Sequence, residues 1–219
     1  MKRYIYFHIC CINNWKQIVS ELFHHIKSSG LYERIHQIRC GVLGLGDQTH
    51  ELFQDPKVTI LFQNDSLDLW EVVTINTLHT YTKENPEEDF QVLYLHSKGV
   101  RHNGRNPNVD DWVQYLTYFN IYHWSACISL LDTNDAVGVN LSAQHPVHYS
   151  GNFWWSTSTH IRSLSPCLST HYNAPEYWVT AHLGDYITLW QSDINHYDVP
   201  YPGHLYIRQP ISPKKITIS

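Results

Sequence analysis

The stretch YLHSKGV, residues 94–100, sets His96, Ser97, Lys98 and Gly99 side by side at the end of an apolar run. An imidazole can bind a metal or carry a proton near neutral pH. A lysine is a point charge that meets phosphate oxygens. A glycine lets the chain turn sharply. Three readings fit: a metal site, a fixed positive charge standing in for a metal, or a polar turn with Lys98 in solvent. Acids that could share the chemistry are Asp68, Glu71, the pair Asp110 and Asp111, and Glu176 in APEYWV. SGNFWW, residues 150–155, adds Ser150, Gly151 for close backbone approach, Asn152 for hydrogen bonding, and Trp154 and Trp155 for stacking on a ligand ring. In a plain strand those two indoles face opposite sides, so at least one is expected to be structural.

These side chains need a scaffold. RYIYFHIC (3–10) is β-branched, aromatic and nearly continuous, as a strand covered on both faces should be. Asn13 or Asn14 can cap a helix whose Trp15, Ile18, Val19, Leu22, Phe23 and Ile26 follow helical spacing, and Gly30 stops it. IHQIRCGVLGLG (35–46), KVTILFQ (57–63) and FQVLYLH (90–96) read as further strands. Residues 64–85 read as a helix capped by Asp65, Ser66 or Asp68, and 109–132 as one long helix. DAVGVNLS (135–142) is another strand, whereas 143–219 gives no clear pattern.

The order predicts an α/β fold with a mixed, mostly parallel central sheet and helices on both faces. Ligands on such sheets sit beyond the carboxyl ends of the strands, here Cys10–Asn13, Gly44–Asp47, Gln63–Asp68 and His96–Gly99. No repeat or linker appears, so residues 1–219 read as a single domain.

Composition narrows the class. A formal charge of −5 argues against nucleic acid as a partner, because phosphate contacts need a basic face. No apolar run reaches the length of a membrane span. Five cysteines, with no CxxC, favour reduced thiols and a cytoplasmic location. P-loop, GxSxG and HExxH motifs are missing, and GVLGLG lacks the third glycine and following helix of a dinucleotide fingerprint. The histidines at 24, 25, 145, 148, 160, 171 and 182 fit no ligand spacing and read as scattered polar residues, while His196 is a candidate phosphate contact.

Four blocks in order carry a resemblance: VLYLHSKGV (92–100), DWVQYLTYFNIYHW (111–124), HYSGNFWWSTSTHIRSL (148–164) and APEYWV (174–179). Together with HICCINNWKQIVSEL (8–22) they resemble small GT-A-fold (Rossmann-like) glycosyltransferases of large DNA viruses and some bacteria. Capsid-glycan glycosyltransferases of chlorella viruses are among that family. The resemblance covers about residues 3–198.

It implies a hexosyltransferase that moves a sugar, with rhamnose or another hexose or deoxyhexose as candidates, from a UDP- or dTDP-sugar to a growing glycan. Inversion at the anomeric carbon is expected, as is a viral structural glycoprotein as target, in the host cytoplasm if the chain is viral. About residues 1–100 would bind the donor and 101–219 the acceptor. His8, Cys10, Asn13, Asp68, Glu71, His96, Lys98, Gly99 and Arg101 would then hold the nucleotide sugar, with Arg101 and Arg105 closing over it. Helix capping explains Asp68 and Glu71 equally well. SGNFWW would hold the acceptor. Glu176 is the expected base, with Asp110, Asp111 and Asp185 as alternatives. A Mn²⁺ or Mg²⁺ ion is open, with His96 or Asp68 as ligands, because the usual paired aspartates are missing. Two other readings remain: a catalytically inactive glycan-binding module of the same fold, and a sugar nucleotidyltransferase.

Overall fold

The computed structural model describes residues 1–44, 47, 49–102, 106–144, 146–169 and 171–218. The first half alternates strands and helices: β1 (Lys2–Cys10), α1 (Trp15–Ser28), β2 (Gln37–Leu43), α2 (Glu51–Gln54), β3 (Val58–Asn64), α3 (Val72–Glu84) and β4 (Phe90–His96). Then come α4 (Pro107–Thr117), a π-helical turn (Tyr118–Tyr122), α5 (Trp124–Leu130), β5 (Ala136–Gly138), β6 (Leu141–Ser142), β7 (His148–Tyr149), β8 (Trp154–Thr157) and α6 (Ser158–Ser163). The chain ends with α7 (Ala174–Trp178), β9 (Gly184–Thr188) and β10 (Lys214–Ile218).

Eight strands form one sheet in the order β10-β9-β5-β8-β4-β1-β2-β3, and β6 pairs with β7 apart from it. β3, β2, β1 and β4 are mutually parallel, and β5 is parallel to β9. β8 runs antiparallel between β4 and β5, and β10 antiparallel on β9. The mostly parallel α/β sheet expected from the sequence is therefore present.

Alternation along each central strand splits the core in two. Ile5, Phe7 and Ile9 of β1, with Leu93 and Leu95 of β4 and Trp155 of β8, pack on α1, α4 and the π turn. Tyr4 and Tyr6, with Val92, Tyr94 and Trp154, pack on α3, α6 and α7. Both faces are covered, so nearly every residue of β1 and β4 is buried. Each large side chain fully buried this way contributes roughly 1.5–3 kcal/mol of transfer free energy.

Two expected helices differ. Residues 65–71 form turns, and α3 starts only at Val72. Trp70 takes a left-handed φ of 48°, which no helix accommodates, and Glu71 stands at the N-cap position with no side-chain capping bond. The predicted helix over 109–132 is broken by the π turn, closed by His123 N–H donating to Tyr118 O at 3.2 Å. The bulge leaves Asn120 O to accept from Trp155 Nε1 at 2.9 Å, and Asn120 Nδ2 donates back to Leu116 O. All five cysteines are unbridged.

Candidate functional site

The carboxyl ends of β1, β2 and β4 open into a cleft with two connected lobes. One, of about 290 Å³, is walled by His8, Cys10, Leu43, Trp70, Arg101 and Tyr172. The other, of about 250 Å³, is walled by Trp112, His148, Ser150, Gly151, Asn152 and Glu176. Glu71, His96, Lys98, Tyr172 and Tyr197 face both.

The LHSKG turn is built by its own side chains. Ser97 N–H donates to His8 O at 2.9 Å, and Cys10 N–H donates to Ser97 Oγ at 2.9 Å. The serine hydroxyl thus locks the ends of β1 and β4 together and is buried. Gly99 needs its φ of +98°, because there an L side chain is strained. Asn13 Nδ2 donates to Val100 O at 2.7 Å and so ties the loop after β1 to this turn, outside the cleft lining. His8 is buried with Nδ1 at 2.8 Å from Thr74 Oγ1, and burial pulls its pKa down to about 4. Cys10 reaches the cleft as a thiol, its pKa raised by burial.

Lys98 projects from this turn with its ammonium 3.5 Å from the centroid of the Trp112 ring and 5.8 Å from that of Tyr197. Burial lowers its pKa to about 8, against the opposing pull of Glu176 and Glu71. No carboxylate of the described residues forms an ion pair with it.

The acids and amides of the second lobe are held by the Ser150–Asn152 turn. Gly151 (φ +96°) and Asn152 (φ 55°) are both left-handed, and a Cβ at residue 151 would stand 2.8 Å from Leu116 Cδ1. Gly151 N–H donates to Glu176 Oε1 at 2.6 Å, and Gly151 O accepts from His96 Nε2 at 3.2 Å. Glu71 Oε2 accepts from Tyr94 Oη and Asn152 Nδ2, each at 2.8 Å. Its Oε1 lies 3.4 Å from His96 Nδ1. That contact has the outline of an ion pair, but burial and the neighbouring Lys98 charge push His96 to about 3. A contact of 3.4 Å is also longer than a charge-assisted hydrogen bond. His96 is therefore neutral, with its hydrogen on Nε2.

Over the mouth, Arg101 is exposed and stacks its guanidinium 4.3 Å from the centroid of Tyr172 and 5.5 Å from that of Trp70. Trp70 and Tyr172 meet edge to face at 5.2 Å. Three separate loops are clasped there.

Several expected residues stand elsewhere. Trp154 and Trp155 are fully buried on opposite sheet faces, so neither is an acceptor platform. Trp154 stacks on Tyr94 at 5.0 Å and donates from Nε1 to Asn152 Oδ1, holding the turn from behind. Asp68 is exposed on the turn before α3 and is not part of either lobe's lining. Asp110 faces a further cavity between α1 and α4, which shares Lys98, Gly99, His102 and Val109 with the first lobe, and Asp111 lies near enough to Tyr206 to raise its pKa. His196 is buried between Trp112 and Tyr115, with Nε2 bonded to Asn140 and Ser192, too deep for a phosphate contact. Arg105, His145 and Gly46 lie outside the described residues.

Sequence reasoning missed the aromatic wall of Trp112, Tyr172 and Tyr197. Trp112 carried a helical-stripe signal only, and the two tyrosines lie in the stretch without pattern. Among the described residues no group of three His, Cys, Asp or Glu side chains stands together as a metal would require. Glu71 and His96 stand together at 3.4 Å, and Asp68 is not beside them.

An α/β protein with a carboxyl-end cleft lined by a lone ammonium, two carboxylates and aromatic rings is the class that fold and site define. Within that class, the chain belongs to the family described as a domain of unknown function, DUF8361, whose model matches residues 10–182. No curated protein matches it in sequence. No helix among the described residues is long and apolar enough to cross a membrane.

Proposed function

We propose that the protein is a glycosyltransferase of GT-A type, moving a neutral hexose or deoxyhexose from a nucleoside diphosphate sugar to a glycan hydroxyl. The observation that carries this reading is Lys98: a half-buried ammonium with no ion-pair partner among the described residues, at the strand ends where a diphosphate would lie. The antiparallel β8 set into an otherwise parallel run supports the same reading.

The reaction is a single displacement with inversion. The acceptor oxygen bonds to the anomeric carbon as the bond from that carbon to the diphosphate oxygen breaks. Glu176 takes the acceptor's proton, and Gly151 N–H fixes its Oε1 for that task. Lys98 meets the charge that grows on the departing nucleoside diphosphate. His8 and Cys10 line the donor lobe, Arg101 closes over it, and Ser150 and Trp112 line the acceptor lobe. No step is assigned to a metal. The acceptor suggested by the resemblance is the glycan of a viral structural protein.

The test is a panel of UDP- and dTDP-sugars, with and without Mn²⁺ or Mg²⁺. Nucleoside diphosphate release and binding are both read. Release with at least one donor is expected, and no binding to any donor overturns the proposal. A second reading, a glycan-binding module without turnover, draws on the use of one Glu176 oxygen as a backbone anchor. Glycan binding with no release would favour it, whereas pyrophosphate release would indicate a nucleotidyltransferase.

A further inference from the structure

Among the described residues, Glu71 Oε1 and His96 Nδ1 form a pair of acceptors with no donor between them. Glu71 cannot turn away, because its Oε2 is held by Tyr94 Oη and Asn152 Nδ2. His96 cannot turn away either: Nε2 donates to Gly151 O, and the ring meets Phe153 edge to face at 5.5 Å. The two remaining lone-pair atoms stand 3.4 Å apart where the two lobes join. Acceptors facing each other in a half-buried place repel unless a hydrogen-bearing group comes between them.

We infer that this pair recognises the hydroxyl groups of the transferred sugar, and that the sugar is uncharged and carries neighbouring free hydroxyls. The inference rests on the glycosyltransferase reading and deepens it. A hydroxyl donates to Glu71 Oε1 and its neighbour to His96 Nδ1. Phosphate oxygens only accept, so this pair turns them away while Lys98, facing the same junction, attracts them. The ligand is thereby oriented, with diphosphate on the ammonium and sugar hydroxyls on the acceptor pair. A uronic acid presenting its carboxylate here meets the same repulsion as phosphate.

Glu71→Gln tests this without disturbing the shape. Tyr94 and Asn152 both donate to Oε2, so the Gln amide must put its oxygen there and its NH₂ toward His96 Nδ1. The variant fills its own acceptor pair and stays folded. Isothermal titration then compares bare UDP or dTDP with UDP- or dTDP-hexose and UDP-glucuronic acid, and saturation-transfer NMR measures methyl hexopyranosides alone. In the wild type, the hexose donor should bind more tightly than the bare nucleotide or the glucuronate. In Glu71→Gln that preference should shrink about tenfold or more, as expected for losing a hydrogen bond to a charged group. Affinity for the bare nucleotide should persist.

An unchanged hexose preference in Glu71→Gln overturns the inference while leaving the glycosyltransferase reading intact. No nucleotide binding by wild type overturns that reading, and the methyl glycosides then decide alone: binding lost in Glu71→Gln supports the hydroxyl site, and binding kept refutes it. Mn²⁺ broadening His96 resonances in wild type but not in Glu71→Gln would assign the pair to a cation and overturn the inference.

Discussion

The Lys98 ammonium lies against the face of Trp112, 3.5 Å from the ring centroid, in the lobe that Glu176 also lines. The indole gives the charge a weak partner and leaves its strong bonding capacity unspent.

Lys98→Met should therefore have opposite effects on stability and on binding. The folded pKa, about 8, is below the unfolded value, so the unfolded chain holds more protons between about pH 8 and 10.5. Wild-type stability then rises with pH across that window, and below it the buried charge is a burden. At pH 7 the Met variant should melt higher, by roughly 2–4 °C for each kcal/mol relieved in a chain of this size. Wild-type affinity for a nucleoside diphosphate sugar should weaken as pH rises through about 8, whereas Met-variant affinity should be low and flat. Glu71, Glu176, His96, His196 and Tyr197 are the titratable neighbours. Calorimetry and titration from pH 6.5 to 10 check both.

Buried His8 and His196 and half-buried His96 contribute to the acid limit. Burial holds His8 and His196 to about 4 and His96 to about 3. The unfolded chain protonates them near pH 6.5, so it binds more protons from there down to about pH 4. Stability should fall as pH drops through that window. Imidazole NMR should find these three rings neutral at pH 5, and any of them titrating near 6.5 counts against the burial described.

Glu176→Gln keeps the anchor, since an amide oxygen also accepts from Gly151 N–H, and removes the proton acceptor. Transfer should slow by about 10²- to 10⁴-fold with donor affinity preserved. Single-turnover rates measure it. A rate within a few-fold of wild type would place the base elsewhere.

Trp154→Ala and Trp155→Ala should each cost about 3–5 kcal/mol in urea denaturation, as core truncations do. Trp112→Phe retains a ring under Lys98 and should be milder for stability. A pyranoside that loses affinity with Trp112→Phe locates the sugar wall on α4, away from β8.

Arg101→Ala removes an exposed contact worth roughly 0.5–1 kcal/mol, so unfolding should barely change. The clasp with Tyr172 and Trp70 is lost, and a bound nucleotide sugar should leave faster in stopped-flow fluorescence. An unaltered dissociation rate removes the clasp as a gate.

The sheet and the LHSKG turn were legible because their signals are local. Continuous β-branched and aromatic runs mark strands buried on both faces, and a polar turn after such a run marks a strand end. The tryptophans at 154 and 155 were misread for the converse reason. Alternation assigns them to opposite faces, but only the packing of α4 and α7 reveals that both faces are closed. The π turn was hidden because an apolar stripe continues through it. The sequence names Glu71 as a donor-site acid, but an acid at a helix start reads equally well as a cap, and only the fold shows its side chain in the cleft without a capping bond. The tyrosine wall joins residues 172 and 197 to 112, a contact that no short window contains.

The family match ends at residue 182, yet β9, β10 and Tyr197 follow it. Tyr197 borders both lobes, and its carbonyl is pinned by Asn108 Nδ2 at 3.0 Å. The same tail sets β9 into the sheet between β10 and β5 and gives Tyr186, Ile187, Leu189 and Tyr206 to the two cores. The rim of the cleft is therefore fastened to the frame of the fold, and loosening one loosens the other.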